Sequence, residues 1–493
     1  MIAISTIIGI VATRAGEILA FGGPATVLLS FTIVGVVAIA VMEGISEMVV
    51  TWPISNPLVE FVRHFVDRDF AVVVCVAYWY TWAITFAALI STAGGIVKYW
   101  NDSKAAETLV IGVNLAVYPF LGIESVTMTA FEAKDTRELK PPAKNISFIV
   151  LSIYLLSIVS MLLNVEWIDP LLAIYYDQWS VGNSISTYCT DTATRRLTAR
   201  ADTDTSSDKN SATHLLPVIA TDRFNIAHLG GVINACLLYS AFSAANSALF
   251  VASRTLYGLG SSIQRDEKSA LLRWLAAFGD VDNNGVPQRA IIGSMFFAWL
   301  PFLSLASNAA GAGESIQEIL QSIGTTSCIL VWASQALAFL RYHWWLRAHH
   351  TELRGQYRKF DRWRRQDRLS WLEFMQPWLA WFAFVASLTI LFVFASAGLW
   401  SSGGRARDKL AVKALDQYLG PGLLLLMFIG LKIVKRRKWV RLGDWDELRE
   451  TLNDLNESVM PSSTSPGDFQ TNGSPGYSGA EPSERVNGVV RGV

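Results

Sequence analysis

Leu237–Gly260 reads LLYSAFSAANSALFVASRTLYGLG, and its only charged residue is Arg254. With the residues before it, the stretch forms an apolar run near Leu229–Leu259. A run of about 18 or more apolar residues is long enough to cross a bilayer core. Nine further runs of this kind are expected, near Met1–Phe21, Ala25–Val50, Ala71–Val97, Thr108–Ala130, Ile146–Leu163, Ala290–Ala306, Ile316–Leu340, Trp378–Trp400 and Pro421–Val434. The first carries Arg14 and Glu17 in its second half, and the last is short. Composition agrees: of 493 residues, 52% are hydrophobic and 17% charged, and the mean hydropathy is +0.33. A soluble chain normally carries roughly a quarter charged residues. The sequence therefore predicts an all-α polytopic membrane protein. Its net charge of +0 gives no support to a nucleic-acid partner.

Charge bias sets the expected orientation. Between Arg341 and Arg368 there are nine Lys/Arg against three acids, and between Lys432 and Arg441 six against none. Both follow even-numbered spans. Glu166–Asp222 follows an odd-numbered span and carries eight acids against four Lys/Arg. One arrangement satisfies all three: both termini cytosolic, an external loop at 166–222 and a basic cytosolic loop at 341–376. The expected transmembrane domain covers 1–440. A cytosolic membrane-proximal segment follows at 441–460, in which the helical spacing of Trp445–Leu455 fits a helix along the membrane surface. The Ser/Pro/Gly-rich tail at 461–493 has the composition of a disordered segment. Asn101-Asp102-Ser103 would be an external sequon, either glycosylated or too close to the membrane for use. No basic region precedes the first apolar run, so no cleavable signal is expected. Cys75, Cys189, Cys236 and Cys328 show no CxxC spacing, so neither a metal site nor a disulfide framework is expected.

A charged group inside a span is costly and is a candidate functional residue. Glu43 and Glu47 are four apart, hence on one helix face, near the cytosolic end of their span. There, water or a basic loop would serve them; a purely structural hydrogen-bonding role stays open. Glu124 lies mid-span in Tyr118-Pro119-Phe120-Leu121-Gly122-Ile123-Glu124. Pro119 removes a backbone donor and Gly122 weakens the helix. A helix interrupted at membrane depth is tolerated around a cavity or ligand, and secondary transporters bind polar solutes at such breaks. A proline kink with a packed glutamate is the alternative. All six histidines, His64, His214, His228, His343, His349 and His350, fall in loops or at span edges, which argues against a membrane enzyme using an intramembrane histidine.

The opening stretch closely resembles the eighth helix of the fungal amino acid permeases, with its pattern S-A-x-N-S followed by A-S-R-T-L-Y. Other matches stand in the same order. Met1-Ile2-Ala3-Ile4, Gly9 and Gly22-Gly23-Pro24 look like the family's first helix and the loop after it. Lys98-Tyr99-Trp100 resembles the end of the third. Gly122, Glu124 and Phe131-Glu132-Ala133-Lys134 look like the sixth helix and its exit, and Gly285-Val286-Pro287 the entry to the ninth. The resemblance covers most of Met1–Leu448. It implies the LeuT-type inverted-repeat fold of the amino acid–polyamine–organocation superfamily, and proton-coupled symport of L-amino acids at a membrane, the plasma membrane first. It also implies a substrate site shared by Gly9 of the first helix with Phe120, Gly122 and Glu124 of the sixth. The substrate carboxylate would meet backbone N–H groups at the broken first helix. Phe120 would act as a gate.

Four departures qualify this. The family's glycine-rich first-helix motif is here Ser5-Thr6-Ile7-Ile8-Gly9-Ile10-Val11, where Ile and Val resist unwinding. The positions of a Pro and a Glu in the third helix hold Ala87 and Leu89. Met1 falls where the first helix begins, without the usual cytosolic tail. The chain passes from Trp100 almost directly to the sixth helix, so the fourth and fifth are expected to be missing. The expectation is thus an incomplete permease with about ten transmembrane helices, not an enzyme. Its partners would be an amino acid, protons and the lipid bilayer, with no cofactor and no metal. The alternative is a transport-dead amino acid sensor or interaction protein, or a truncated non-functional permease.

Overall fold

In hydrocarbon a backbone must satisfy its own polar groups, which leaves an apolar run little choice but the helix. The computed structural model describes residues 2–54, 56–97, 136–164, 217, 228–261, 270–282, 286–299, 312–351, 371–394, 407–435, 440 and 445–459. The described elements are helical: α1 (Ile2–Thr51), α2 (Pro57–Phe65), α3 (Arg68–Val97), α4 (Thr136–Asn164), α5 (Leu229–Ser261), α6 (Ala270–Ala276), α7 (Gln288–Ser294), α8 (Ala312–Ala348), α9 (Trp378–Thr389), α10 (Arg407–Lys435) and α11 (Trp445–Val459). Five stretches are long and apolar enough to span: Pro24–Thr51, Arg68–Ile90, Asn145–Asn164, Leu229–Ser261 and Ser322–Ala348. Trp378–Phe392 and Tyr418–Ile433 are shorter apolar helices. All seven fall on expected spans. The chain is an all-α polytopic membrane protein.

Contacts along the helices fix their directions. Thr81 of α3 meets Gly324 of α8, while Phe65, just before α3, meets Trp345 near the end of α8; the two helices are antiparallel. Cys75 of α3 contacts Thr255 of α5, whose end lies beside Asn56 ahead of α2. Gly44 of α1 packs on Phe339 and Trp52 on Tyr342, so α1 runs with α8. Gly35 faces Leu151 and Phe31 faces Tyr154, so α4 runs against α1 and therefore with α3. On α10, Gly420 faces Thr326 and Lys432 reaches Asp67. α3 thus ends and α4 begins at opposite ends of the bundle. The span expected at Thr108–Ala130 requires that arrangement; the span itself lies outside the described residues, as do the sequon, loop 166–222 and tail 461–493.

Buried and exposed faces separate as a bilayer demands. α3 and α8 are the most enclosed spans, and α4 turns Leu156 (74% exposed) and Leu163 (81% exposed) outward. At the end of the bundle where α1 stops, α2 plugs the gap. Trp52, Phe61 and Phe65 are fully buried there against Tyr342 and Trp345. Asn56 heads α2 with φ 53, a left-handed conformation that asparagine tolerates, and Pro57 follows at the first turn, where its missing N–H costs nothing.

Three expectations change. The turn at Gly22-Gly23-Pro24 is not formed; the backbone stays helical from Ile2 to Thr51 with Pro24 inside. Proline costs a helix one hydrogen bond but does not compel a turn, and apolar residues flank it on both sides. The span near Ala290–Ala306 begins as α7 followed by a 3-10 segment, Met295–Trp299, and its remainder lies outside the described residues. On α11, Leu448, Leu452 and Leu455 are buried in the hydrophobic core, so this face packs on protein and is not free to lie on lipid.

Candidate functional site

Of the residues expected to bind substrate, Gly9 lies in the continuous helix α1. Phe120, Gly122 and Glu124 lie outside the described residues, as does Gly285. Of the four, only Gly9 is therefore placed. Within an unbroken helix each interior N–H is bonded to the carbonyl four residues back, which leaves none for a carboxylate.

The buried polar groups lie elsewhere. Glu43 and Glu47 share one face of α1 and are 7% and 3% exposed, so bulk water does not serve them. Their backbone carbonyls accept the hydroxyls of Ser46 and Thr51 at 3.0 and 2.9 Å. Between them, Gly44 has no side chain, and α8 closes to put Phe339 against it. One turn on, His343 stacks beside Phe339 with ring centroids 6.3 Å apart and is 4% exposed. α8 extends beyond the expected Leu340 to Ala348, so His343 is a buried helical residue and not a loop one. Two carboxylates and an imidazole thus lie on the facing helices α1 and α8, and among the described residues no three such groups cluster closely enough to hold a metal ion.

Further along, neutral groups join α3 to its neighbours. Tyr80 donates its hydroxyl to Leu320 O at 2.9 Å. Thr81 Oγ1 lies 2.9 Å from Ala77 O and 3.0 Å from Gly324 O, so its single proton is shared between helices. Trp79 Nε1 donates to Ser294 Oγ at 3.2 Å. Ala87 and Leu89, at the positions of the family's Pro and Glu, are buried; Ala87 packs with Ile84 among Tyr80, Phe297 and Leu320. This part of α3 offers no carboxylate.

At the plugged end a second polar group forms. Gln335 Nε2 donates to Leu58 O at 2.7 Å, tying α8 to α2. Asp67 caps α3, its Oδ1 accepting the N–H groups of Asp69 and Phe70 at 2.9 and 3.0 Å. Its Oδ2 is 2.6 Å from Lys432 Nζ of α10, which also approaches Asp69 Oδ2 at 3.5 Å. The sequence reading counted Lys432 only as part of a basic stretch. A lysine within the apolar helix α10, and two aspartates at the mouth of α3, were the available signal that a charge needed a partner.

A family profile described as "Amino acid permease" matches residues 1–118 and 106–442. The chain belongs to the amino acid permease family. The permease is 24% identical over 478 residues to a tryptophan permease of Saccharomyces cerevisiae, covering 87% of this chain and 74% of the relative. It is 22% identical over 499 residues to amino acid transporter 1 of Schizosaccharomyces pombe, covering 85% and 76%. It is also 22% identical over 496 residues to a probable lysine/arginine permease of Candida albicans, covering 84% and 76%. These are transporters, and the permease is a multi-pass transporter and not an enzyme. The two profile matches meet at residues 106–118, just after Trp100.

Proposed function

We propose that this permease carries L-amino acids across the membrane together with protons, with the C-terminus cytosolic and the plasma membrane as its location; the expected cytosolic N-terminus does not fit a continuous α1, whose start and Thr51 lie at opposite ends of one helix. The carrying observation is the family match running from residue 1 to 442, through every described span. Relatives named for tryptophan and for lysine/arginine differ in side-chain chemistry, so the class proposed is amino acids as such. Substrate would bind between Gly9 and the Phe120-Gly122-Glu124 stretch, with Phe120 closing over it and Glu124 carrying the proton. Glu43 and Glu47 support the reading by placing further carboxylates inside the bundle.

The test is uptake of single radiolabelled amino acids by cells that lack their own permeases. Saturable accumulation above vector, rising as external pH falls, is expected for at least one amino acid. Glu124→Gln is expected to lower uptake at least tenfold and flatten its pH dependence. Unchanged uptake with an unchanged pH profile removes the proton role from Glu124.

One observation favours a second reading, a transport-dead sensor: α1 stays helical through Gly9, with no opened backbone to receive a carboxylate. A sensor would gain thermal stability on adding an amino acid while accumulating none.

A further inference from the structure

We propose that Lys432, Asp67 and Asp69 form a latch that holds the α2 plug shut, and that this latch opens each time the permease faces the side on which α2 lies. The proposal rests on the transport reading above.

The latch joins two elements far apart in the chain. Lys432 Nζ sits 2.6 Å from Asp67 Oδ2 and 3.5 Å from Asp69 Oδ2, with both aspartates 1% exposed and Lys432 17%. One turn earlier on α10, Phe428 meets Phe70 edge-on at 5.5 Å, so a ring contact stacks beside the ion pair on the same seam. Asp67 is also the hinge point of α2. It follows Val66, the residue that closes the helix, its N–H is bonded to Val62 O at 3.0 Å, and its other oxygen caps α3. Pulling Lys432 away therefore frees the junction that fixes the end of α2 on the start of α3.

The plug is otherwise held by few polar ties. Among the described residues, Gln335 bonds Leu58 O. The rest is packing of Trp52, Phe61 and Phe65 against α8. Apolar packing is non-directional and permits sliding, whereas a buried ion pair holds only in one geometry and leaves a costly unpaired charge when half of it is removed. A group of this kind suits an element that must have two discrete positions. α10 carries the pull onward: its chain continues to Val440, whose carbonyl accepts from Arg341 Nη2 at 2.7 Å, and to α11 with its buried leucines.

Cys75 provides the measurement. It is fully buried under Asn56, about 10 Å into α3 at 1.5 Å per residue. In a full-length chain with Cys189, Cys236 and Cys328 replaced by alanine, labelling of Cys75 by a membrane-impermeant maleimide is followed from each side of sealed vesicles. Lys432→Met is expected to speed labelling at least tenfold from the α2 side only, and Lys432→Arg to leave it near the parent rate. If Lys432→Met fails to reach the membrane, Asp69→Asn serves, with an expected threefold or greater rise. A folded Lys432→Met or Asp69→Asn chain that labels at the parent rate overturns the latch. Because labelling needs no transport, a chain that accumulates nothing yet shows this pattern refutes the transport reading and leaves the latch standing.

Discussion

Gly260 and Gly279 show how closely single residues set the packing at the plugged end. A Cβ on Gly260 would run into Gly279 N, and one on Gly279 into Ser261 N and Gly260 C, backbone atoms where nothing flexible can give way. α5 ends against the 3-10 turn Ala277–Gly279 at that point. Overpacking of this kind costs about 1–3 kcal/mol. Gly260→Ala is therefore expected to lower the midpoint of thermal unfolding in detergent, whereas Gly430→Ala, with open space around it, should hold or raise it. Equal midpoints for the two variants would show that the close approach is not real. Residue-scale chemistry was partly legible. The spacing of Glu43 and Glu47 put them on one face, but their burial depends on α8 closing over Gly44, and no local pattern encodes which helix closes there. The pairing of Lys432 with Asp67 spans 365 positions and was equally out of reach of spacing.

Among elements, the long apolar runs were the readable part, because hydrocarbon leaves a polar backbone no alternative to the helix. Their ends were less so. The loop expected at Gly22-Gly23-Pro24 came from the family resemblance, and α1 runs through it. α2 went unread because nine residues are too few to show as a span; its Asn56-Pro57 head was the local sign. What holds α2 is a side chain on α8. Gln335 donates to Leu58 O while its own Oε1 stays buried. Replacing Gln335 by methionine keeps the volume but removes this bond and leaves the Leu58 carbonyl with its intrahelical partner alone, a cost of about 0.5–1.5 kcal/mol. The expected outcome is a lower unfolding midpoint together with faster proteolysis after Arg63 and Arg68, the basic sites flanking the end of α2. A midpoint unchanged within error, with the same cleavage rate, would mean that apolar packing alone secures the plug.

For the whole molecule, helix directions and charge bias are independent lines of argument. The directions come from contacts such as Thr81 with Gly324 and Gly35 with Leu151, which know nothing of loop charge. They place the ends of α1, α5, α8 and α10 and the starts of α3, α4 and α9 together. The basic stretches at 341–368 and 432–441 leave from that same end, and the acid-rich stretch at 166–222 joins α4 to α5 at the other. By the positive-inside bias, the plugged end is the one proposed to be cytosolic. An epitope inserted near residue 200 should bind antibody on intact cells, and one after Val459 only after permeabilisation. The reverse pattern would turn the latch outward, so that it would guard substrate entry and not release. Binding of both epitopes on intact cells would put the stretch at 166–222 and the C-terminal end on one side. That would break the alternation of α4, α5, α8 and α10 on which the whole arrangement depends, since those contacts allow α4 to end and α10 to finish only at opposite faces.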